Sequence, residues 1–281
     1  MTFLQAMLLA VLQGVSELFP ISSLGHTVLI PALLRWRIDR SDPTFLAFVV
    51  ALHLGTAFAL IVFYRNDWRR IVRGLARSVA RGRFSDDPDE RLGWLLIAGT
   101  LPLAVAGVFL EEPVKRLFGS ATLVSLFLIL NAFVMFGGEW LRRGAGSGRR
   151  TLANLRYSTG AGIGFSQAAA LLPGISRSGS SIVAGLLSGL SHADAARFSF
   201  LLATPAIGAA SLLELPRLFV PAAHGVLIES AVGGVVAACT AYLSIVFLTR
   251  YFDSNDLRPF GWYCLAFGSL CFILAVTKVI A

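Results

Sequence analysis

The sequence predicts an all-α integral membrane protein: about six transmembrane helices plus two re-entrant helical hairpins, arranged as inverted-topology repeats. Three observations lead there. Of the 281 residues, 56% are hydrophobic and 14% charged, and mean hydropathy is +0.74; soluble domains are about 45–50% apolar and about 25% charged. Apolar segments of about 20 residues, the length that crosses a bilayer, recur along the chain. Two further apolar segments are broken near their middles by Gly, Ser and Pro, and the two breaks resemble each other. This composition excludes a soluble enzyme, a disordered chain and a disulfide-stapled fold. The length suits one membrane domain, 1–281.

Residues 3–19 and 24–34 are apolar but short, and Pro20, Ser22, Ser23 and Gly25 separate them, giving a first re-entrant hairpin over 3–34. Spans follow at 44–63, 93–110 and 121–137. Residues 160–172 and 181–190 form a second hairpin (160–190), broken by Pro173, Gly174, Ser176, Arg177, Ser178, Gly179 and Ser180. Three more spans read at 195–213, which contains Pro205, at 225–249 and at 260–280. Each half-segment is too short to cross a core about 30 Å thick at about 1.5 Å per residue. Irregular backbone at that depth must be buried in protein or line a cavity. Ile21-Ser22-Ser23-Leu24-Gly25 aligns with Ile175-Ser176-Arg177-Ser178-Gly179, and Gln13 and Gln167 stand eight residues before the two isoleucines. The chain therefore divides into repeats of about 1–137 and 158–281. Inverted repeats put their site at the midplane, where broken helices meet.

The net charge is +8, and all but Lys115 and Lys278 of the 24 cations are arginines. They are spread between apolar segments, which argues for topology and lipid contact rather than nucleic acid. Loop 64–92 carries Arg65, Arg69, Arg70, Arg73, Arg77, Arg81, Arg83 and Arg91, and loop 138–158 carries Arg142, Arg143, Arg149, Arg150 and Arg156. In loop 111–120, Lys115 and Arg116 are balanced by Glu111 and Glu112. The positive-inside rule puts the two arginine-rich loops in the cytoplasm and the C-terminus outside. Arg35, Arg37 and Arg40 then fall outside, against the rule. Cys239, Cys264 and Cys271 read as buried small hydrophobes.

The chemistry concentrates in the breaks. Gln13 and Glu17 share a helix face at i,i+4, and Glu17 is the only acid in the first 38 residues. An intramembrane carboxylate is a functional hypothesis by default. Ser22 or Ser23 can cap the following half-helix, and His26 lies in its first turn. Arg177 needs an anionic partner at this depth; a structural ion pair with Glu17 is one option. The glycines let backbone N–H groups approach a ligand, helix N-termini favour anions, and arginine recognises phosphate bidentately. His53, mid-span, wants a partner and is read as facing the site. Ser191 and Asp194 form a capping pattern, so His192 reads as structural, as does His224 in a loop. The set suits a phosphate ester better than an ion or a sugar.

These stretches resemble the bacterial undecaprenyl-pyrophosphate phosphatase family of the bacitracin-resistance type, over essentially the whole chain. The resemblance rests on Gln13 to His26, on Pro173 to Ser181, on His53-Leu54-Gly55-Thr56 and on Ser191 through Pro205. Three positions depart: Gln13 stands where the family often has Glu, Leu24 for a common threonine, and Ser181 for a final threonine. The resemblance implies removal of the terminal phosphate of undecaprenyl pyrophosphate in the bacterial inner membrane, recycling a cell-wall carrier lipid for which bacitracin competes. It implies catalytic roles for Glu17, Ser23, His26 and Arg177. Substrate contacts are expected from Ser22, Gly25, His53, Gly174, Ser176, Ser178 and Ser181, and a Mg²⁺ or Ca²⁺ ion on Glu17 and Gln13. The nucleophile is Ser23 or a water, with His26 as general base, or His26 itself is the nucleophile. A polyprenyl-phosphate transporter or flippase is the alternative, since broken helices and a midplane anion site suit a carrier too. Small residues Gly233, Gly234, Ala237 and Ala238 offer a face for a homodimer or for packing within the monomer.

Overall fold

The computed structural model describes residues 1–36, 38–39, 42–83, 87–117, 119–143, 150–219 and 225–280, with the side chains of 111–117 and 217 left aside. Arg37, Arg40, Arg149 and His224, and the side chains of Glu111, Glu112, Lys115 and Arg116, lie outside the described residues. Eleven α-helices follow in order among those described: α1 (Phe3–Ser16), α2 (Ser23–Leu33), α3 (Pro43–Phe63), α4 (Arg65–Arg81), α5 (Pro88–Leu117), α6 (Ala121–Leu141), α7 (Tyr157–Ser166), α8 (Arg177–Leu187), α9 (His192–Glu214), α10 (Leu227–Tyr251) and α11 (Arg258–Val276). Six of them, α3, α5, α6, α9, α10 and α11, are long and apolar enough to cross a membrane, at the six expected places.

One expected loop is a helix. Residues 65–81 form α4, capped by Gly82 in the left-handed region at φ 62°. Ile71, Gly74 and Ser78 recur at helical spacing on its buried face. A methyl group on Gly74 would come within 2.8 Å of the Glu90 backbone nitrogen, so α4 lies directly on the start of α5. Trp94 donates to Ser78 at 3.1 Å, Arg77 pairs with Asp87 at 3.2 Å, and Arg81 pairs with Glu90. Arginine density masked this period in the sequence.

The four short helices pack in a reciprocal pattern. α1 lies against α10, where a methyl on Gly14 would meet the Ala237 carbonyl at 2.5 Å. α7 lies against α5, where a methyl on Gly164 would meet the Gly99 carbonyl at 2.0 Å. α3 and α9 pack on each other, as do α6 and α11. The small residues of α10 are used inside the monomer: Gly234 meets Gly55 of α3, and Gly233 meets Phe48 and Leu52. Of the two uses open to this face, packing within the monomer is the one these contacts serve. Cys264 and Cys271 are buried as expected, whereas Cys239 is exposed.

At the arginine-rich end, Glu139 of α6 gathers Arg142 at 3.0 Å, His192 at 2.7 Å and the Leu257 amide at 3.0 Å. This ties α6, α9 and the start of α11. His192 is structural, as its place beside the Ser191 cap implied.

Candidate active site

The two breaks are built alike and lock together. Ser22 and Ser176 each cap the following helix, accepting from Gly25 N at 3.2 Å and Gly179 N at 3.1 Å. Ser22 holds a strained backbone at φ 68°, and its Oγ also accepts from the Gly174 amide of the other break at 3.2 Å. Ser178 donates to the Phe19 carbonyl at 3.1 Å. Gly174 has φ +117°, and a methyl there would strike the Val124 carbonyl at 2.4 Å. Only glycine fits that turn. Asn131, fully buried on α6, donates to Pro20 O at 3.0 Å and accepts from Ser176 N at 3.0 Å. One side chain thus fixes both breaks, and no local motif announced it.

This arrangement brings Glu17, Ser22, Ser23, His53, Gln167, Ser176 and Arg177 around one cavity of about 170 Å³, with apolar walls from Leu103, Ala206, Ile207 and Ala210. Glu17 is the hub. Its Oε1 accepts from Arg177 Nη2 at 3.0 Å. Its Oε2 accepts from Ser23 Oγ at 2.6 Å and Gln13 Nε2 at 3.1 Å. His53 Nε2 stands 3.8 Å from the same oxygen, and its Nδ1 meets the Val49 carbonyl at 2.9 Å. The second guanidinium nitrogen of Arg177, Nη1, is buried without a partner. A buried cation with an unused donor is suited to an anion. The first intrahelical bonds, His26 N to Ser22 O and Ser180 N to Ser176 O, leave the amides of Ser23, Leu24, Arg177 and Ser178 ahead of them. Such leading N–H groups attract phosphate.

His26 is placed elsewhere. It is fully buried, stacked on Phe267 at 5.1 Å and Tyr263 at 5.7 Å between ring centroids. Its Nδ1 donates to Ser22 O at 2.7 Å, so its Nε2 accepts from Tyr263 OH at 2.8 Å. With both nitrogens hydrogen-bonded and its side chain outside the cavity lining, His26 braces strained Ser22. Gly25, Gly174, Ser178 and Ser181 likewise shape the breaks rather than line the cavity; Ser181 bonds Ser199 at 2.7 Å. In the sequence Gln167 stands only as a repeat marker, yet it lines the cavity.

The described residues form no all-protein cage for a metal. Glu17 is the one carboxylate on the cavity, and its oxygens already receive an arginine, a hydroxyl and an amide. Gln13 turns its nitrogen to Glu17, and no group of three His, Cys, Asp or Glu side chains gathers for a metal among the described residues. Mg²⁺ keeps several waters and takes one or two carboxylates plus substrate phosphates, so Glu17 is the single protein carboxylate such an ion would find in the cavity lining.

Known proteins resemble this chain over nearly its whole length. Residues 6–270 match the family model described as bacitracin resistance protein BacA. The chain is 50% identical to undecaprenyl-diphosphatase 2 of Chromobacterium violaceum, covering 95% of this chain and 97% of that one. It is 46% identical to the undecaprenyl-diphosphatase of Acidiphilium cryptum, over 98% of each, and 44% identical to that of Mycobacterium avium, over 95% of each.

Proposed function

This chain belongs to the bacitracin resistance protein BacA family, and from that premise we propose that it removes the terminal phosphate of undecaprenyl pyrophosphate, with the Ser23 hydroxyl as nucleophile and Glu17 as its base. The observation that carries the reading is the 2.6 Å hydrogen bond from Ser23 Oγ to Glu17, opposite Arg177 in one cavity. Nucleophile and base within hydrogen-bond reach, with a cation for the phosphoryl oxygens, are what phosphoryl transfer requires.

Ser23 Oγ attacks the terminal phosphorus and Glu17 takes its proton. The bridging P–O bond breaks and undecaprenyl phosphate leaves. Arg177 and the leading amides of α2 and α8 hold the charge that develops on the phosphoryl oxygens. Glu17 then returns its proton to Ser23 as water cleaves the phosphoserine. A divalent ion would be held by Glu17 together with the substrate's phosphates and would supply neutralisation of their charge. Bacitracin acts by withholding that lipid.

The chain is a multi-pass membrane enzyme, which we place in the bacterial inner membrane. We read it as two inverted repeats. The equivalent Ser22 and Ser176 caps, and the α1–α10 and α7–α5 contacts, support this. Ala206, Ile207 and Ala210 lie in the half of α9 away from its arginine-rich end, and Leu103 lies just past the middle of α5. We read the cavity as opening outward.

The test is phosphate release from undecaprenyl pyrophosphate by purified protein. Ser23→Ala is expected to lower it about 10²–10⁴-fold, the scale of a lost acid–base or nucleophilic group. Near-normal release from Ser23→Ala rejects the nucleophile. A wild type that releases none but moves lipid phosphate between leaflets is a carrier, which needs no nucleophile–base pair.

A further inference from the structure

The cavity holds a polar atom that this mechanism does not use. Gln167 is fully buried and lines the cavity. Its Nε2 donates to the Gly99 carbonyl at 3.2 Å, which fixes the amide orientation. The close packing of Gly164 on Gly99 holds that carbonyl in place. Oε1 is therefore a committed acceptor, and it is buried with no partner. Arg177 Nη1, on the same cavity, is a buried donor with no partner. Arg177 Nη1 suits the phosphoryl oxygens, whereas Gln167 Oε1 needs a donor. An ionised phosphoryl oxygen only accepts and cannot supply one; a water donates to Oε1 and keeps a lone pair for phosphorus.

We infer that Gln167 holds the water that attacks phosphorus. The inference rests on the phosphatase reading of this cavity and deepens it. In the hydrolytic half-reaction the water oxygen bonds to the phosphorus of phosphoserine, and the P–Oγ bond to Ser23 breaks. Glu17 gives Ser23 Oγ its proton. The phosphate departs with both water protons as dihydrogen phosphate and loses one to solvent. Gln167 Oε1 accepts a hydrogen bond from the water throughout, which aims an oxygen lone pair at phosphorus; a glutamine carboxamide can orient a hydrolytic water in this way. Gln13, at the equivalent place in the first repeat, instead gives its Nε2 to Glu17 at 3.1 Å. The two related glutamines then divide the reaction, one beside the base and one beside the water.

The experiment compares wild type with Gln167→Met and Gln167→Glu by rapid quench, using undecaprenyl pyrophosphate with and without methanol as a competing acceptor. For Gln167→Met we expect kcat about 100-fold lower with KM within about threefold. A burst of undecaprenyl phosphate approaching one per enzyme should precede phosphate release. The ratio of methyl phosphate to inorganic phosphate should rise. Gln167→Glu, which keeps an acceptor at this position, should give a ratio closer to wild type. The product ratio is read per turnover, so it does not depend on the folded fraction. Unchanged kcat, or a slow variant with no phosphoenzyme and an unchanged ratio, overturns the assignment of Gln167. A wild type that releases no phosphate overturns the phosphatase reading itself.

Discussion

At the scale of single residues, the site depends on Glu17 being shared. Its two oxygens serve Arg177, Ser23 and Gln13 together, so its loss removes a base and a counter-ion in one step. Glu17→Gln keeps the shape, and we expect phosphate release to fall about 10²–10⁴-fold while the folded protein is still recovered. His26 is the contrasting case. Tyr263→Phe strips the Nε2 partner from His26 and is expected to lower thermal stability by about 1–3 kcal/mol. The pH profile of kcat should stay where it is. A displaced profile would return His26 to the proton chemistry. In the sequence, His26 looked like a base because it follows two serines and an acid. Its burial against Tyr263, from a helix more than 200 residues later, was not legible there.

At the scale of elements, the two broken segments have no independent shape. Each relies on the other through Ser22 and Gly174, and both rely on Asn131 of α6. Asn131→Leu fills similar space but leaves the Ser176 N–H and the Pro20 carbonyl buried and unpaired, at about 1–3 kcal/mol for each. We expect a lower melting temperature and weakened catalysis together, read by thermal unfolding and phosphate release on the same sample. Unchanged stability would mean the breaks hold without it. The breaks themselves were legible, because Gly, Ser and Pro inside an apolar run leave few helical options. Asn131 was not, because it stands alone in an apolar span and its partners lie 111 and 45 residues away. α4 is illegible in the sequence for another reason. Ile71, Gly74 and Ser78 carry the packing face, and two of those three are not apolar enough to register as a stripe.

At the scale of the whole molecule, six spans and two broken segments were readable from length and hydropathy, since a bilayer demands continuous apolar helix. What the sequence left open was the direction of access. Ala210 lines the cavity in the later half of α9, and Arg69 lies on α4 beside the arginine-rich end. In a chain with Cys239, Cys264 and Cys271 replaced, Ala210→Cys should react with an impermeant thiol reagent added outside intact cells. Arg69→Cys should react only after the cells are opened. The reverse pattern would turn the cavity toward the cytoplasm and invert the topology.

The Glu17–Arg177 pair joins residues 160 positions apart. At synthesis rates of about 5–20 residues per second, Glu17 leaves the ribosome about 8–30 s before its partner exists. A carboxylate does not settle in hydrocarbon alone. The first hairpin, made first, is therefore expected to seat last, resting near the headgroups until α8 arrives. Nascent chains arrested before and after residue 177 should differ in whether a water-borne carboxylate reagent reaches Glu17. If they do not, the acid enters the bilayer without its arginine.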